Sequence, residues 1–281
     1  MKSLSDNFKS TLLVHLKTKS NFQLDSTNIL QTTNLSAWSR GRILVELEDG
    51  LKTYRIKPFS KISQVELKEK IEDILFVGDT FVFLSDSVLC ISTEKETKRI
   101  PGDYKGVKLL EVGEFLGLKY PNKLELLKDG LVCYTFSGDL AFSSYNVLLV
   151  SSGFLLSIFV DFTKKLEVNL PLLPTSLSVD SFFCRIYCGT SSGDILCINL
   201  DGSPSSTLSY HKSRIVSLSH SFCNRFLYSA DSTGVIGVWD CETGVIIDKV
   251  ETGTEILCLK TSLTDSIEKI ELPLILKSNI K

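Results

Sequence analysis

The sequence predicts an all-β fold assembled from repeated four-stranded antiparallel sheets. Three observations carry that prediction: short apolar runs, glycine-bearing turns between them, and an internal spacing of 41 residues. The runs fall in the length range of about 4 to 8 residues that suits strands. They are Arg42–Glu48, Leu51–Ile56, Ile71–Val77, Thr80–Leu84, Val88–Ser92, Val107–Val112, Lys123–Leu127, Leu131–Phe136, Val147–Val150, Phe154–Phe159, Arg185–Cys188, Ile195–Leu200, Ile215–Ser219, Phe226–Ser229, Val235–Trp239 and Ile256–Leu259. Val, Ile, Phe and Tyr dominate them, side chains that pack well on a pleated, half-buried surface.

One segment argues for a helix. Lys61–Ile74 contains Ser63-x-x-Glu66, the spacing of a capping box, followed by helix formers. The competing reading is two strands, Gln64–Leu67 and Ile71–Val77, around a charged turn. It agrees better with the flanking rhythm and is the one adopted.

Between the runs stand Glu48-Asp49-Gly50, Lys128-Asp129-Gly130, Ser137-Gly138-Asp139, Ser191-Ser192-Gly193, Asp201-Gly202-Ser203 and Ser232-Thr233-Gly234. Each offers a glycine where a hairpin turn asks for positive φ.

The repeat sets the architecture. Cys188–Leu200 and Ser229–Cys241 align without gaps, placing Gly193 and Gly234 in register 41 residues apart, and Gly153 precedes Gly193 by 40. A period of about 40 to 45 residues is that of one four-stranded propeller blade. The 281 residues then give a single domain, 1–281, with about seven blades, six or eight being the neighbouring counts. Blades are expected to start near Phe22, Glu69, Gly102, Ser137, Pro171 and Tyr210. A seventh would combine Glu251–Lys281 with an N-terminal strand near Thr11–Lys17 that closes the ring and covers its open sheet edges.

Composition narrows the function classes. Lys and Arg total 31 against 33 Asp and Glu, a formal charge of -2, so the broad attraction that non-specific nucleic-acid binding needs is absent. Nucleic acid is therefore not expected as the main direct ligand. The eight cysteines (Cys90, Cys133, Cys184, Cys188, Cys197, Cys223, Cys241, Cys258) sit mostly in apolar runs, as thiols kept reduced do. The start Met1–Lys17 has too short an apolar stretch for a secretory leader, so none is expected. No window reaches the roughly 18 to 20 apolar residues of a spanning helix, Val147–Val160 being interrupted by Ser and Gly. The expectation is an intracellular protein of the nucleus or cytoplasm, without membrane insertion.

The stretch Tyr210–Val250 resembles a WD40 repeat. Tyr210-His211 stands in the place of Gly-His, Ile215–Leu218, Phe226–Ser229, Val235–Trp239 and Val245–Val250 read as the four strands, and Trp239-Asp240 ends the third. Leu172–Thr207 follows the same pattern less closely, with Ile198-Asn199 replacing Trp-Asp. The resemblance implies a buried hydrogen-bond relay of His, Ser or Thr, Asp and Trp. Here His211, Ser229 and Trp239 fill three places, while Thr233 occupies the Asp place and Asp231 lies two positions earlier. The resemblance also implies that loop residues just after the His contact partners, which points to Lys212 and Arg214.

Three signatures of catalysis are absent: the sequence contains no GxxxxGK[ST], no GxGxxG after a strand and no HExxH. Of the histidines, His211 belongs to the relay, His220 is expected on the surface at a strand end, and His15 stands alone. Cys184-x3-Cys188 has no second pair at zinc spacing, and both thiols are expected to pack on one strand face, so no metal and no cofactor are expected. Lys61–Lys70 and Lys95–Arg99 mix both signs, as solvated edges do. Trp38-Ser-Arg-Gly41 is one arginine short of the Phe-Arg-Arg-Gly motif of phosphoinositide-binding propellers. The sequence thus predicts a non-catalytic scaffold, a subunit of a multiprotein complex whose partners are other proteins. The rival readings are a ligand binder or enzyme using the central channel, and a nucleic-acid or phospholipid reader.

Overall fold

The computed structural model describes residues 11–18, 20, 22–25, 27–32, 36–39, 42–47, 50–55, 60–65, 71–77, 80–85, 88–93, 96–144, 146–180, 184–221 and 225–261. Among them are 27 strands and no helix. Of the segment with the capping-box spacing, Ser60–Val65 and Asp73–Val77 are strands, and 66–70 lie outside the described residues.

Six sheets are four-stranded, antiparallel and built from consecutive strands. Blade one is β3–β6 (Ser36–Ser39, Arg42–Leu47, Gly50–Arg55, Ser60–Val65), and blade two is β7–β10 (Asp73–Val77, Thr80–Leu84, Val88–Ser92, Thr97–Pro101). Blade three is β11–β14 (Lys108–Val112, Phe115–Lys119, Lys123–Lys128, Leu131–Ser137), and blade four is β15–β18 (Leu140–Ser144, Val147–Ser152, Leu155–Val160, Thr163–Asn169). Blade five is β19–β22 (Pro174–Asp180, Arg185–Thr190, Asp194–Asn199, Pro204–Ser209), and blade six is β23–β26 (Ile215–His220, Phe226–Asp231, Val235–Asp240, Ile246–Glu251). In the seventh sheet β27 (Ile256–Thr261) pairs antiparallel with β1 (Thr11–Leu16) from the other end of the sequence. β2 (Asn28–Thr32) joins β1 in parallel.

The first strands follow one another in order, β3 against β7, then β11, β15, β19, β23 and β27, each touching the next. Between consecutive sheets lies an apolar cluster. Leu149, Leu156 and Ile158 of blade four meet Leu177, Ile186 and Cys188 of blade five. Tyr187, Ile195 and Cys197 of blade five meet Ile215, Leu227 and Trp239 of blade six. Blade six in turn presents Tyr228, Ile236 and Val238 to Leu12, Val14 and Ile256 of the seventh sheet. Alternation along a strand explains this division, because successive side chains leave opposite faces: Ile186 and Cys188 face one neighbour, Tyr187 the other. A blade sandwiched on both sides therefore reads as a near-continuous apolar run. Burying each such side chain contributes roughly 1.5 to 3 kcal/mol.

A register shift recurs between the third strand and the outer one, at Thr53/Tyr54, Leu126/Leu127, Ile158/Phe159, Cys197/Ile198 and Val238/Trp239. Such bulges bend a strand and raise its twist, which lets these five blades turn their outer edges away from their neighbours.

Four blades start within six residues of the expected places, at Asp73, Lys108, Leu140 and Pro174, and blade six at Ile215 likewise. The first starts at Ser36 rather than near Phe22, because Asn28–Thr32 pairs with β1 instead. The turn at Asp129-Gly130 has φ of 54° and 84°, the two positive angles of a type I′ hairpin. Gly138 departs from expectation. Its φ is not left-handed, and it serves close packing, since a Cβ there would stand 2.7 Å from the Ser151 carbonyl oxygen.

Candidate functional site

Blade six carries the densest polar network among the described residues. Trp239 Nε1 donates to Ser229 Oγ at 2.8 Å, Ser229 Oγ lies 2.6 Å from His211 Nε2, and His211 Nδ1 lies 2.9 Å from Asp231 Oδ2. All four side chains are buried. The donor inventory fixes the order of protons. An indole nitrogen only donates and a carboxylate only accepts, so His211 carries its proton on Nδ1 and the Ser229 hydroxyl donates to the bare Nε2. Burial holds the His211 pKa below its ordinary value against the opposing pull of Asp231, which keeps the ring neutral, as this order requires. Asp231 Oδ1 then accepts from the Thr233 hydroxyl at 2.7 Å and from the Thr233 and Val235 amides at 2.9 and 3.0 Å. Burial alone would raise the Asp231 pKa, but these hydrogen bonds outweigh it and the pKa lies below the usual carboxylate value. Thr233, which occupies the sequence position of the repeat's Asp, thus supports Asp231 rather than touching His211.

The network fixes the loop from Tyr210 to Arg214. The Tyr210 ring packs edge-on to His211 and Trp239, with Lys249 Nζ 4.9 Å from its centre. Ser213 Oγ lies 2.7 Å from Ser232 Oγ, and the Ser232 amide donates to the Arg214 carbonyl at 2.9 Å. From blade five, Gly193 (φ 97°) backs onto the same loop so closely that a Cβ would collide with the His211 carbonyl. Lys212 and Arg214 project from this braced loop and are exposed.

In blade five the positions 41 residues earlier than His211, Ser229 and Trp239 hold Leu170, Cys188 and Ile198. All three are buried in one apolar cluster. The relay has been exchanged as a unit for hydrocarbon and thiol, which leaves no polar group stranded.

At the opposite end of β23 the structure corrects two sequence expectations. His220 is not a surface side chain: Nδ1 lies 2.8 Å from Ser178 Oγ, the ring packs 5.0 Å from that of Tyr187, and Nε2 is buried with no hydrogen-bond partner among the described residues. The residue keeps some exposure through its other atoms, but burial pushes its pKa down to about 3. Cys184 and Cys188 do not share a strand face either. Cys184 sits in the turn before β20 with φ 54° and is exposed, whereas Cys188 is buried within the strand. Sequence reasoning missed Asp180 and Cys241, which meet His220 here with their ligand atoms within 4.8 Å of one another. Their common signal was position alone, each lying at or just after the end of a strand running in the same direction as β23.

Cys133 and Cys184 are exposed, Cys90, Cys188, Cys197 and Cys241 are buried, and Cys223 lies outside the described residues. Lys98 and Arg99 are exposed on β10, an outer strand. Arg40 and Gly41 lie outside the described residues. The outer strand of blade three is unusual in being apolar: Leu131, Val132 and Tyr134 are 72%, 54% and 41% exposed. Tyr134 also stacks on Phe162 of blade four at 5.0 Å.

Seven sheets whose first strands touch in succession, the last built from both ends of the sequence, define a β-propeller. The chain is similar in fold to Hsv2 of Kluyveromyces lactis, with a TM-score of 0.62 and 13% identity over 85% of this chain and 84% of that one. It is likewise similar to Kluyveromyces marxianus Hsv2, with a TM-score of 0.62 and 13% identity over 74% and 76% of the two chains. In sequence it is similar to the pre-rRNA-processing protein IPI3 of Yarrowia lipolytica, 39% identical over an alignment of 85 residues that takes in 24% of this chain. The match spans 20% of the length of that relative. No protein-family model matches the chain. Among the described residues no helix is long and apolar enough to cross a membrane.

Proposed function

We propose that this protein is a non-catalytic scaffold that binds other proteins as a subunit of a multiprotein complex. The observation that carries the reading is the braced loop Tyr210–Arg214. A buried relay and a glycine from the neighbouring blade hold it rigid, and Lys212 and Arg214 stand exposed on it. Cations displayed on a rigid loop contribute electrostatic steering and register at an interface without an ordering cost at binding. The apolar outer strand of blade three supports the same reading, since exposed apolar edges in soluble proteins mark contact surfaces. The similarity of one stretch to a pre-rRNA-processing protein favours an assembly that handles precursor ribosomal RNA as the setting.

The test is affinity purification of the tagged full chain from cells, with mass spectrometry, beside a Lys212→Glu/Arg214→Glu variant. Stoichiometric co-purifying proteins that the double variant loses support the proposal. A monomer with no partner, or one that turns over a small molecule, removes it.

A further inference from the structure

At the seam between blades five and six, three side chains with different ligand atoms converge away from solvent. Asp180 ends β19, His220 ends β23, and Cys241 follows β25, so the parallel run of these strands brings all three to one end of the propeller. A carboxylate oxygen, an imidazole nitrogen and a thiol sulfur lie within 4.8 Å of one another, all three buried.

The histidine gives the cluster its direction. With Nδ1 engaged by Ser178 Oγ at 2.8 Å, Nε2 is the nitrogen left over, and it is buried without a hydrogen-bond partner among the described residues. A buried imidazole nitrogen left unpaired is costly, because its lost hydration is not replaced. Where Nδ1–H donates to the serine, Nε2 presents a lone pair instead. That is the arrangement in which metal-binding histidines are held, one nitrogen oriented by a hydrogen bond and the other on the ion. The surroundings extend the pattern: Arg185 Nη1 donates to the Cys241 carbonyl at 2.6 Å.

We propose that Asp180, His220 and Cys241 bind one divalent transition-metal ion, with zinc as the ion that fits. Carboxylate, thiolate and neutral imidazole together carry two negative charges, which offset a divalent cation in a place where an unbalanced charge is expensive. Sulfur and nitrogen ligands select zinc over calcium or magnesium. Zinc at bond lengths of about 2.0 to 2.3 Å holds such ligand atoms roughly 3.3 to 3.8 Å apart, so the observed cluster reaches it by closing about 1 Å. The ion would tie blade five to blade six at the end of the seam opposite the relay.

The experiment uses the full chain, purified under reducing conditions and stripped with a chelator, then titrated with cobalt(II) alone and afterwards with zinc. One cobalt per chain is expected, with the near-ultraviolet thiolate-to-cobalt absorption and the intense visible bands of a tetrahedral site, both erased by zinc. Cys241→Ser should abolish the thiolate band. His220→Gln should weaken cobalt binding by at least about 10-fold. A Cys133→Ser/Cys184→Ser variant, which removes two exposed thiols, should keep the wild-type spectrum. The proposal is overturned by a wild-type chain that shows no thiolate band, by a band that survives Cys241→Ser, or by one lost with the exposed thiols. Where Cys241→Ser does not fold, the His220→Gln titration decides, and wild-type affinity in that variant overturns the site.

Discussion

His211 is bonded to Asp231, Nδ1 to Oδ2 at 2.9 Å, although the spacing of the repeat would put its acid at Thr233. The reason lies in the turn. Asp231 is the last residue of β24, where it reaches the imidazole with one oxygen and collects the Thr233 hydroxyl and two amides on the other. Asp231→Ala should therefore destabilise the protein by about 3 to 5 kcal/mol, because it strands a buried imidazole and two turn amides. Thr233→Ala should cost about 1 kcal/mol, since it removes one supporting hydroxyl. Urea unfolding of the two variants checks the ranking, and equal losses would contradict the network.

Trp239 is 3% exposed and gives its only polar atom to Ser229. Trp239→Ala should lower stability by roughly 3 to 5 kcal/mol. Trp239→Phe keeps most of the apolar contact, loses the N–H, and should cost less. A negligible change in melting temperature for Trp239→Ala would mean that this side chain does not pack between blades five and six.

In blade five the equivalent position of Ser229 is Cys188, buried with Leu170 and Ile198, neither of which can hydrogen-bond through its side chain. Cys188→Ser should therefore destabilise the fold by about 1 to 3 kcal/mol, although the same residue type is required in blade six. A neutral result in denaturant unfolding would imply a polar partner or water at that site.

Acid should weaken the protein in a defined window. His211 and His220 both have pKa values lowered by burial, His220 to about 3. Below about pH 6.5 the unfolded chain binds protons that these folded rings refuse, so stability falls as pH falls. For His220 the loss continues to about pH 3 and then levels off. Each ring contributes a slope of about 1.4 kcal/mol per pH unit inside its window. Asp231, with its pKa below the usual value, adds a loss in the same direction at still lower pH. Unfolding measured across this range in chelator should show the slope, and His220→Gln should flatten it. An unchanged slope in that variant would contradict the buried, neutral ring.

Lys212 and Arg214 are exposed, so Lys212→Glu/Arg214→Glu should leave stability within about 0.5 kcal/mol per site. It should slow partner association and reduce its salt dependence. Surface plasmon resonance against a co-purified partner at two salt concentrations measures both quantities, and unchanged kinetics would exclude this loop from the interface.

Local chemistry made the repeated sheets legible in the sequence. Runs buried on both faces are apolar almost without interruption, and glycines at φ of 97° and 95° in Gly193 and Gly234 recur at one spacing because each touches the next blade in the same way. The outer strands Thr97–Pro101, Thr163–Asn169 and Pro204–Ser209 were not legible. They are exposed and largely polar, so no apolar run announces them, and backbone pairing alone makes them strands. Leu140–Ser144 and Pro174–Asp180, first strands of their blades, hide for a related reason: serine and threonine break their apolar pattern.

What the sequence alone determined was the repeat, its period and three members of one relay, because those depend on neighbours along the chain and on the 41-residue spacing. Only the tertiary structure decided that Asp231 rather than Thr233 completes that relay, and that β2 joins the expected closing strand β1 in parallel. It alone brought Asp180, His220 and Cys241 together. Those outcomes depend on which strand ends meet across a seam between sheets, a distance in space that no spacing in the sequence encodes.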